Sequence, residues 1–217
     1  VYGRDWYVDA SNRKFSIRTF DPYDYMIREW APSQTHNISL SGRSGKTVFN
    51  VGLGYLDQNG LMKLAKHDDF RRWNGSIRLS TEINKYITAR AGANYSKRNK
   101  RYAYATNSTT ADPWLYLYRW DSTYPIGYDE NGNEMRSPAS EIHQANTANK
   151  ENNYLSFNVG ATLQITKDWK FDIDYTYAGE DQIWKKNGTK FTAADTWTSP
   201  VKRLDGNGNQ IYVNNMG

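Results

Sequence analysis

The stretch Trp73-Asn74-Gly75-Ser76-Ile77-Arg78-Leu79-Ser80-Thr81-Glu82-Ile83, the pair Asn84-Lys85, and then Ile87-Thr88-Ala89-Arg90-Ala91-Gly92-Ala93-Asn94-Tyr95-Ser96 decide how this chain folds. Before the pair, Trp73, Ile77, Leu79 and Ile83 share one parity, and Asn74, Ser76, Arg78, Ser80 and Glu82 share the other. After it, Ile87, Ala89, Ala91, Ala93 and Tyr95 alternate with Thr88, Arg90, Gly92, Asn94 and Ser96. A helix would bring its apolar residues round every third or fourth position, whereas a strand sends successive side chains to opposite faces. The segment therefore reads as two strands joined by a tight turn.

The same period runs outward in both directions. Ile38 and Leu40 alternate with Asn37, Ser39 and Ser41, and after Gly42-Arg43-Ser44-Gly45 the residues Phe49, Val51, Leu53 and Tyr55 oppose Asn50, Gly52 and Gly54. Leu155, Phe157, Val159, Ala161, Leu163 and Ile165 repeat it, and so, after Thr166-Lys167-Asp168, do Trp169, Phe171, Ile173, Tyr175 and Tyr177. Strands are expected near 36–41, 47–56, 71–83, 86–96, 153–165 and 169–178, and no segment carries a helical stripe. The expected class is all-β.

Alternation alone fits a soluble β-sandwich as well as a barrel wall, since either buries one face. The connections separate the two. Short links at 42–45, 84–85 and 166–168 alternate with long ones near 57–70, 97–152 and 179–217. Long structureless loops are uncommon in compact domains, while short periplasmic turns and long external loops are the rule in outer-membrane barrels. Tyr55, Trp73, Tyr95, Trp169, Tyr175 and Tyr177 are the expected aromatic girdle of such a wall, and Arg78, Glu82, Arg90, Asp172 and Asp174 lie on the expected wet face. Barrels of this kind begin at about eight strands, and an open edge cannot sit in lipid. The expectation is thus a segment of about six antiparallel strands from a larger transmembrane β-barrel.

Composition agrees with this reading. The 217 residues include 15% aromatic side chains, too many for a chain that never folds, and no cysteine, which excludes disulfide scaffolds, thiol catalysis and thiolate zinc sites. The absence of any long apolar run excludes a helical span but not a barrel, whose alternating strands average to a polar sequence. The net charge of +5 is spread along the chain and points to no partner. The opening Val1-Tyr2-Gly3, with no initiator Met, reads as a mature chain or a piece of a longer one.

Particular residues carry a resemblance. Thr35-His36-Asn37-Ile38-Ser39-Leu40-Ser41-Gly42, Gly45-Lys46-Thr47 and Gly52-Leu53-Gly54-Tyr55-Leu56-Asp57-Gln58-Asn59-Gly60 are similar to the SusC/RagA class of TonB-linked outer-membrane transporters. That class typically reads His-Asn-x-Ser-x-Ser-Gly-Gly, a short polar turn, then Ser/Gly-Leu-Gly-Tyr-Leu-Asp-Gln-Glu-Gly. Arg72-Trp73-Asn74-Gly75-Ser76-Ile77-Arg78-Leu79 resembles its next strand, and Ile165-Thr166-Lys167-Asp168-Trp169-Lys170-Phe171 one of its periplasmic turns. Arg43 stands where a second Gly is usual and Asn59 where Glu is common. The resemblance covers about residues 30–178 and is most specific in 35–60.

It implies a plugged barrel in the outer membrane of a Gram-negative bacterium, one that imports a large nutrient with energy delivered through the TonB complex. It also implies a SusD-like surface lipoprotein as partner and an oligosaccharide, or in some members a peptide, as substrate. No plug domain or TonB box is read in these residues; by the resemblance both lie upstream in a much longer protein. Outer-membrane lipid and lipopolysaccharide are implied surroundings. Neither a cofactor nor a nucleic acid is expected.

Gly42-Arg43-Ser44-Gly45-Lys46-Thr47 lacks the first glycine of a phosphate loop, where Leu40 stands, and a strand rather than a helix follows, so it reads as a hairpin turn. His36, His67 and His143 lie far apart, and no nucleophile or zinc motif accompanies them, so no catalytic or metal residue is assigned and no enzyme is expected. Asp129-Glu130-Asn131-Gly132-Asn133-Glu134 and Asp205-Gly206-Asn207-Gly208-Asn209 look like two copies of one hairpin; a calcium loop would need its glycine at the sixth position and a distal Glu. Lys97-Arg98-Asn99-Lys100-Arg101-Tyr102 is the densest basic run and reads as a solvated loop start or a contact for lipid phosphates.

The candidate ligand-binding segment is Pro113 to Asp121. If extended, it aligns Trp114, Tyr116, Tyr118 and Trp120 on one side, with Arg119 and Asp121 to orient a sugar ring by hydrogen bonds. The alternative is a packed loop element whose rings form its own core.

Overall fold

In the computed structural model the described residues are 6–11, 13–104, 113–196 and 201–216. The order of elements is β1 (Trp6–Val8), β2 (Lys14–Ser16), α1 (Pro22–Met26), β3 (Ser33–Ser44), β4 (Thr47–Asn59), β5 (Asp69–Asn84), β6 (Ile87–Tyr104), α2 (Pro113–Arg119), α3 (Pro138–Gln144), β7 (Asn146–Gln164), β8 (Lys170–Lys185), β9 (Lys190–Ala194), β10 (Val201–Lys202) and β11 (Tyr212–Met216).

Strands β3 to β8 form one six-stranded antiparallel meander in chain order. The expected strands are all present, and each is longer than the apolar alternation that marked it. β6 continues through the basic run to Tyr104, β7 begins at Asn146, and β8 reaches Lys185. Lys97 to Tyr102 is therefore strand rather than loop, and the long connections shrink accordingly. The physical reason is pairing: Lys97 faces Asn153, and Arg101 faces Asn149, so the backbone ladder runs on beyond the apolar residues.

The short ends are built by local hydrogen bonding. Gly45, at φ +58, lets the chain reverse between Ser44 and Thr47, a conformation that a side chain would strain. The Asn84 side chain accepts from the Tyr86 and Ile87 N–H groups at 2.8 and 3.0 Å. Thr166 Oγ1 accepts from Trp169 N at 3.2 Å, and Trp169 O accepts from Ile165 N at 2.9 Å.

At the other end lies a separate layer. Its buried core holds Phe20, Met26, Met62, Ala65, Leu117, Ile126, Met135, Ala139 and Ile142, contributed by α1, α2, α3 and the loops between strands. Helix α3 is fixed by Pro138 in its first turn and by a reciprocal cap, in which Ser140 N donates to Ser137 Oγ and Ser137 N to Ser140 Oγ at 3.2 and 2.9 Å. Strand β9 pairs with β11, and Met135 bridges to Ala194, which ties the chain's last third to this layer. At five to seven residues these helices are too short for a helical stripe to register, so their period was not legible.

The sheet has no comparable core. The accessible surface is 14020 Å², against about 10,000 Å² for a compact monomer of this mass. Much of the excess belongs to apolar side chains standing free on one face of the sheet.

Candidate functional site

Residues directly opposite in an antiparallel ladder share a face. One row runs Leu40, Val51, Ile77, Ala93, Phe157 and Tyr177, and the next runs Gly42, Phe49, Leu79, Ala91, Val159 and Tyr175. With Ile38, Leu53, Leu155 and Ile173 these rows make a continuous apolar band. It is bare: Ile38 is 72% exposed, and Leu53, Phe157, Val159 and Ile173 are exposed as well. Among the described residues no second sheet covers it. Along β5 it reaches from Trp73 to Ile83, the length of strand a tilted bilayer crossing requires, about 9–11 residues.

Aromatic rings and ions mark the border of the band toward the long loops. His36, Tyr55 and Trp73 stand in one row, with Tyr55 and Trp73 ring centroids 4.2 Å apart. Tyr95 lies one row further into the band, and Trp169 sits exposed in the turn at the opposite end. Tyr175 and Tyr177 lie level with Phe49 and Leu40, inside the band rather than at its margin. From the aromatic row outward the same face turns ionic: Lys97, opposite Trp73 in that row, reaches Glu151 at 3.0 Å, and beyond it Arg71 meets Asp57 at 3.3 Å and Arg101 meets Asp69 at 2.8 Å.

The opposite face is mainly polar, with Val48, Leu56, Phe70 and Trp184 toward its two ends. Ser96 Oγ donates to Asn74 Oδ1 at 2.9 Å, and Asn94 Nδ2 to Ser156 Oγ at 3.2 Å. Arg90 binds Asp172 and Asp174 at 3.3 and 3.1 Å and also donates to Thr162, whose hydroxyl in turn donates to Asp172. Arg43 reaches Glu82 at 3.3 Å. A Cβ on Gly160 would fall 2.0 Å from Asp174 Oδ1, so only glycine leaves room for that carboxylate. A hollow of about 550 Å³ lies over Ser39, Gly52, Gly54 and Ser76, with Arg98 and Tyr154 also lining it.

The basic run is split by the strand: Lys97, Asn99 and Arg101 share the apolar band's face, while Arg98, Lys100 and Tyr102 share the polar one.

The aromatic segment departs from its extended reading. Pro113–Arg119 is helical, so the rings at 116, 118 and 120 do not line up on one side. A proline at the start and a run free of β-branched residues favour helix, and Leu117 and Trp120, three apart, supply one buried stripe. Trp120 is 5% exposed, donates from Nε1 to Tyr124 O at 3.2 Å and meets the Tyr124 ring edge-on. Tyr118 points outward with the Arg119 guanidinium 5.8 Å from its ring centroid, and Tyr116 is half-buried. Asp121 accepts from the Thr123 N–H and hydroxyl at 2.8 Å, which holds its carboxyl below the usual range. The Trp114 side chain lies outside the described residues. The segment's packed reading gains, and a one-sided stacking platform is not formed.

The two Asp-Asn-Gly loops are the same device. Asp129 Oδ1 accepts from Asn131 N and Asn133 N at 2.9 and 2.8 Å, and Asp205 Oδ1 from Asn207 N and Asn209 N at 2.8 Å each. Gly132 and Gly208 take φ +77 and +82. Asp9 repeats the pattern toward Ser11 N and Arg13 N, a third copy that the sequence hid because no Asn-Gly marks it. Each carboxylate is turned onto its own backbone, as a hairpin needs. Among the described residues no three His, Asp or Glu side chains converge on a metal-sized site. His143 instead contacts Glu134 at 3.1 Å.

Compared with known proteins, the chain matches no family model and no curated protein.

Proposed function

We propose that these strands form one arc of the wall of a SusC/RagA-type, TonB-dependent outer-membrane transporter, which imports a large nutrient together with a SusD-like surface lipoprotein. An oligosaccharide is the favoured cargo and a peptide the second. The observation that carries this reading is the single-layer sheet with one bare apolar face and one polar, hydrogen-bonded face, its short turns all at one end and its long loops at the other. A soluble sandwich would set a second sheet against the apolar face.

In this account the apolar band meets lipid and the aromatic and ionic rows mark the outer border. The polar face lines a wet lumen. Both edges of the sheet, β3 and β8, pair on one side only among the described residues. Hydrocarbon does not tolerate unpaired backbone, so the edges call for further strands of the same transporter. External loops would capture the solute, and force transmitted to the plug through TonB would open a path past the polar wall. None of this requires bond chemistry in the chain.

Uptake by cells that produce the full-length protein tests the reading. Import of a labelled oligosaccharide should stop when the proton-motive force is collapsed or TonB is removed. Uptake that survives both treatments points to a passive pore. A full-length protein that stays monomeric and folded in buffer without detergent removes the membrane reading altogether.

A further inference from the structure

The sheet treats its positive charges differently on its two faces. On the face of the apolar band three of the four cations at or beyond the aromatic row have a carboxylate on the next strand, Arg71–Asp57, Lys97–Glu151 and Arg101–Asp69, and the fourth, Lys185, stands on the edge strand. On the polar face at the same height, Arg72 stands directly opposite Arg98, and Lys100 directly opposite Lys150. None of these four has a carboxylate within ion-pair distance among the described residues, and Arg72 Nε is buried without a hydrogen-bond partner. Like charges directly opposite on neighbouring strands are destabilising. Two such pairs, set two residues apart along β6 and so about 7 Å apart by strand rise, form a cationic ladder at the loop end of the polar face.

Two acids of this region are hydrogen-bonded elsewhere. Glu180 accepts from Asn152 Nδ2 at 3.1 Å, and Asp68, which shares a hollow of about 370 Å³ with Phe70 and Lys100, accepts from Met62 N at 3.0 Å. The same face presents the rings of Phe70 and Tyr154 beside the ladder, while the Trp184 ring carries the Lys186 ammonium 3.9 Å from its centroid. Guanidinium groups bind carboxylate and sulfate through paired N–H donors, and flat rings suit the C–H faces of sugars. We propose that this ladder is a binding site for acidic oligosaccharides, those bearing carboxylate or sulfate groups, at the outer end of the lumen. The inference rests on the polar face being the lumen wall, and it adds the substrate's charge to that reading. A neutral glycan would leave the like-charged pairs unrelieved.

The test uses the full-length transporter in detergent, titrated calorimetrically with an oligogalacturonate, a sulfated oligosaccharide and a neutral oligogalactan of equal length. The acidic ligands should bind about tenfold or more tightly than the neutral one, with affinity falling as salt rises. Arg98→Gln with Lys100→Gln should cut acidic binding by about tenfold or more and leave neutral binding unchanged. The double variant relieves repulsion, so its assembly should be intact, which heat-modifiable mobility checks. Equal binding of acidic and neutral ligands, or unchanged acidic affinity in the variant, overturns the proposal. So does a variant that alters only thermal stability, since the ladder would then be neutralised by an acidic segment of the transporter itself. A transporter that assembles in the membrane yet fails to discriminate sinks this inference alone. One that needs no lipid sinks the reading beneath it.

Discussion

The six-stranded sheet and the layer at its loop end solve opposite problems. The loop layer buries Met26, Ile126 and Met135 at 1%, 1% and 0% exposure, together with an ionic group in which Arg136 lies 3.9 Å from Glu141 and 4.0 Å from Asp195. That is the interior of a small water-soluble domain. The sheet buries almost none of its own apolar face, although it contains most of the chain's regular hydrogen bonding. Backbone pairing gives it shape, but the hydrophobic term that stabilises folded proteins is missing until something apolar covers the band. Lipid supplies that cover in our account. The loop layer carries its own solvent-excluding core, and the sheet does not.

The largest expected effect breaks the wall and leaves the loop layer alone. Phe157→Arg places a charge on the bare band and should cost about 2–4 kcal/mol of membrane assembly, seen as loss of the heat-modifiable species. Asn158→Arg, one residue along on the polar face, should assemble normally. Equal defects at both positions would erase the distinction between the faces.

A core truncation should show the reverse. Ile126→Ala or Met135→Ala removes a buried side chain from the loop layer and should cost that layer about 2–5 kcal/mol. The readout is faster proteolysis of the external loops around an intact, detergent-resistant barrel. Collapse of the barrel would mean that the two regions are a single cooperative unit.

A smaller effect probes the polar face. Gly160→Ala pushes Asp174 away from Arg90. Thermal unfolding should register the loss, and Gly132→Ala, whose Cβ meets open space but whose φ is +77, separates backbone strain from crowding.

The smallest expected effect is an acid response of one hairpin. The Asn209 N–H and side chain, with Asn207 N–H, hold the Asp205 carboxyl below its ordinary value. A depressed folded value means that the hairpin's stabilisation is complete above the unfolded carboxylate range and disappears as pH falls through the folded value. Amide exchange at Asn207 and Asn209 should stay slow until that range is reached, and Asp205→Asn should abolish the pH dependence. Exchange that accelerates near neutral pH would show that the carboxylate is not the anchor.

Much of the wall was legible because its physics is local and periodic. Trp73, Ile77 and Leu79 against Asn74, Ser76 and Arg78 state the two faces outright, and Asn84-Lys85 states the turn. The strand extensions were illegible because Lys97–Tyr102 and Asn146–Asn153 alternate between kinds of polar residue. Their signal lay in partners on other strands, such as Glu151 for Lys97 and Asp69 for Arg101. The aromatic segment misled for a related reason. Trp114, Tyr116, Tyr118 and Trp120 have a two-residue spacing by sequence, yet the buried pair is Leu117 and Trp120, and the local preference for helix is realised by packing these two into the core. The cationic ladder emerged from register, since Arg72 and Arg98 are far apart in sequence and opposite in the sheet.

The claim that most depends on measurement is that the face carrying Leu155, Phe157, Val159 and Ala161 meets hydrocarbon while Ser156, Asn158 and Gly160 meet water. The chain has no cysteine, so single spin-labelled cysteines can be placed at each position from 155 to 161 without background. Power saturation of the full-length protein in lipid bilayers should then alternate, with 155, 157, 159 and 161 accessible to oxygen and 156, 158 and 160 accessible to a water-soluble relaxant. Odd positions that are shielded from oxygen and immobilised, as in the core of a soluble sandwich, would contradict the account.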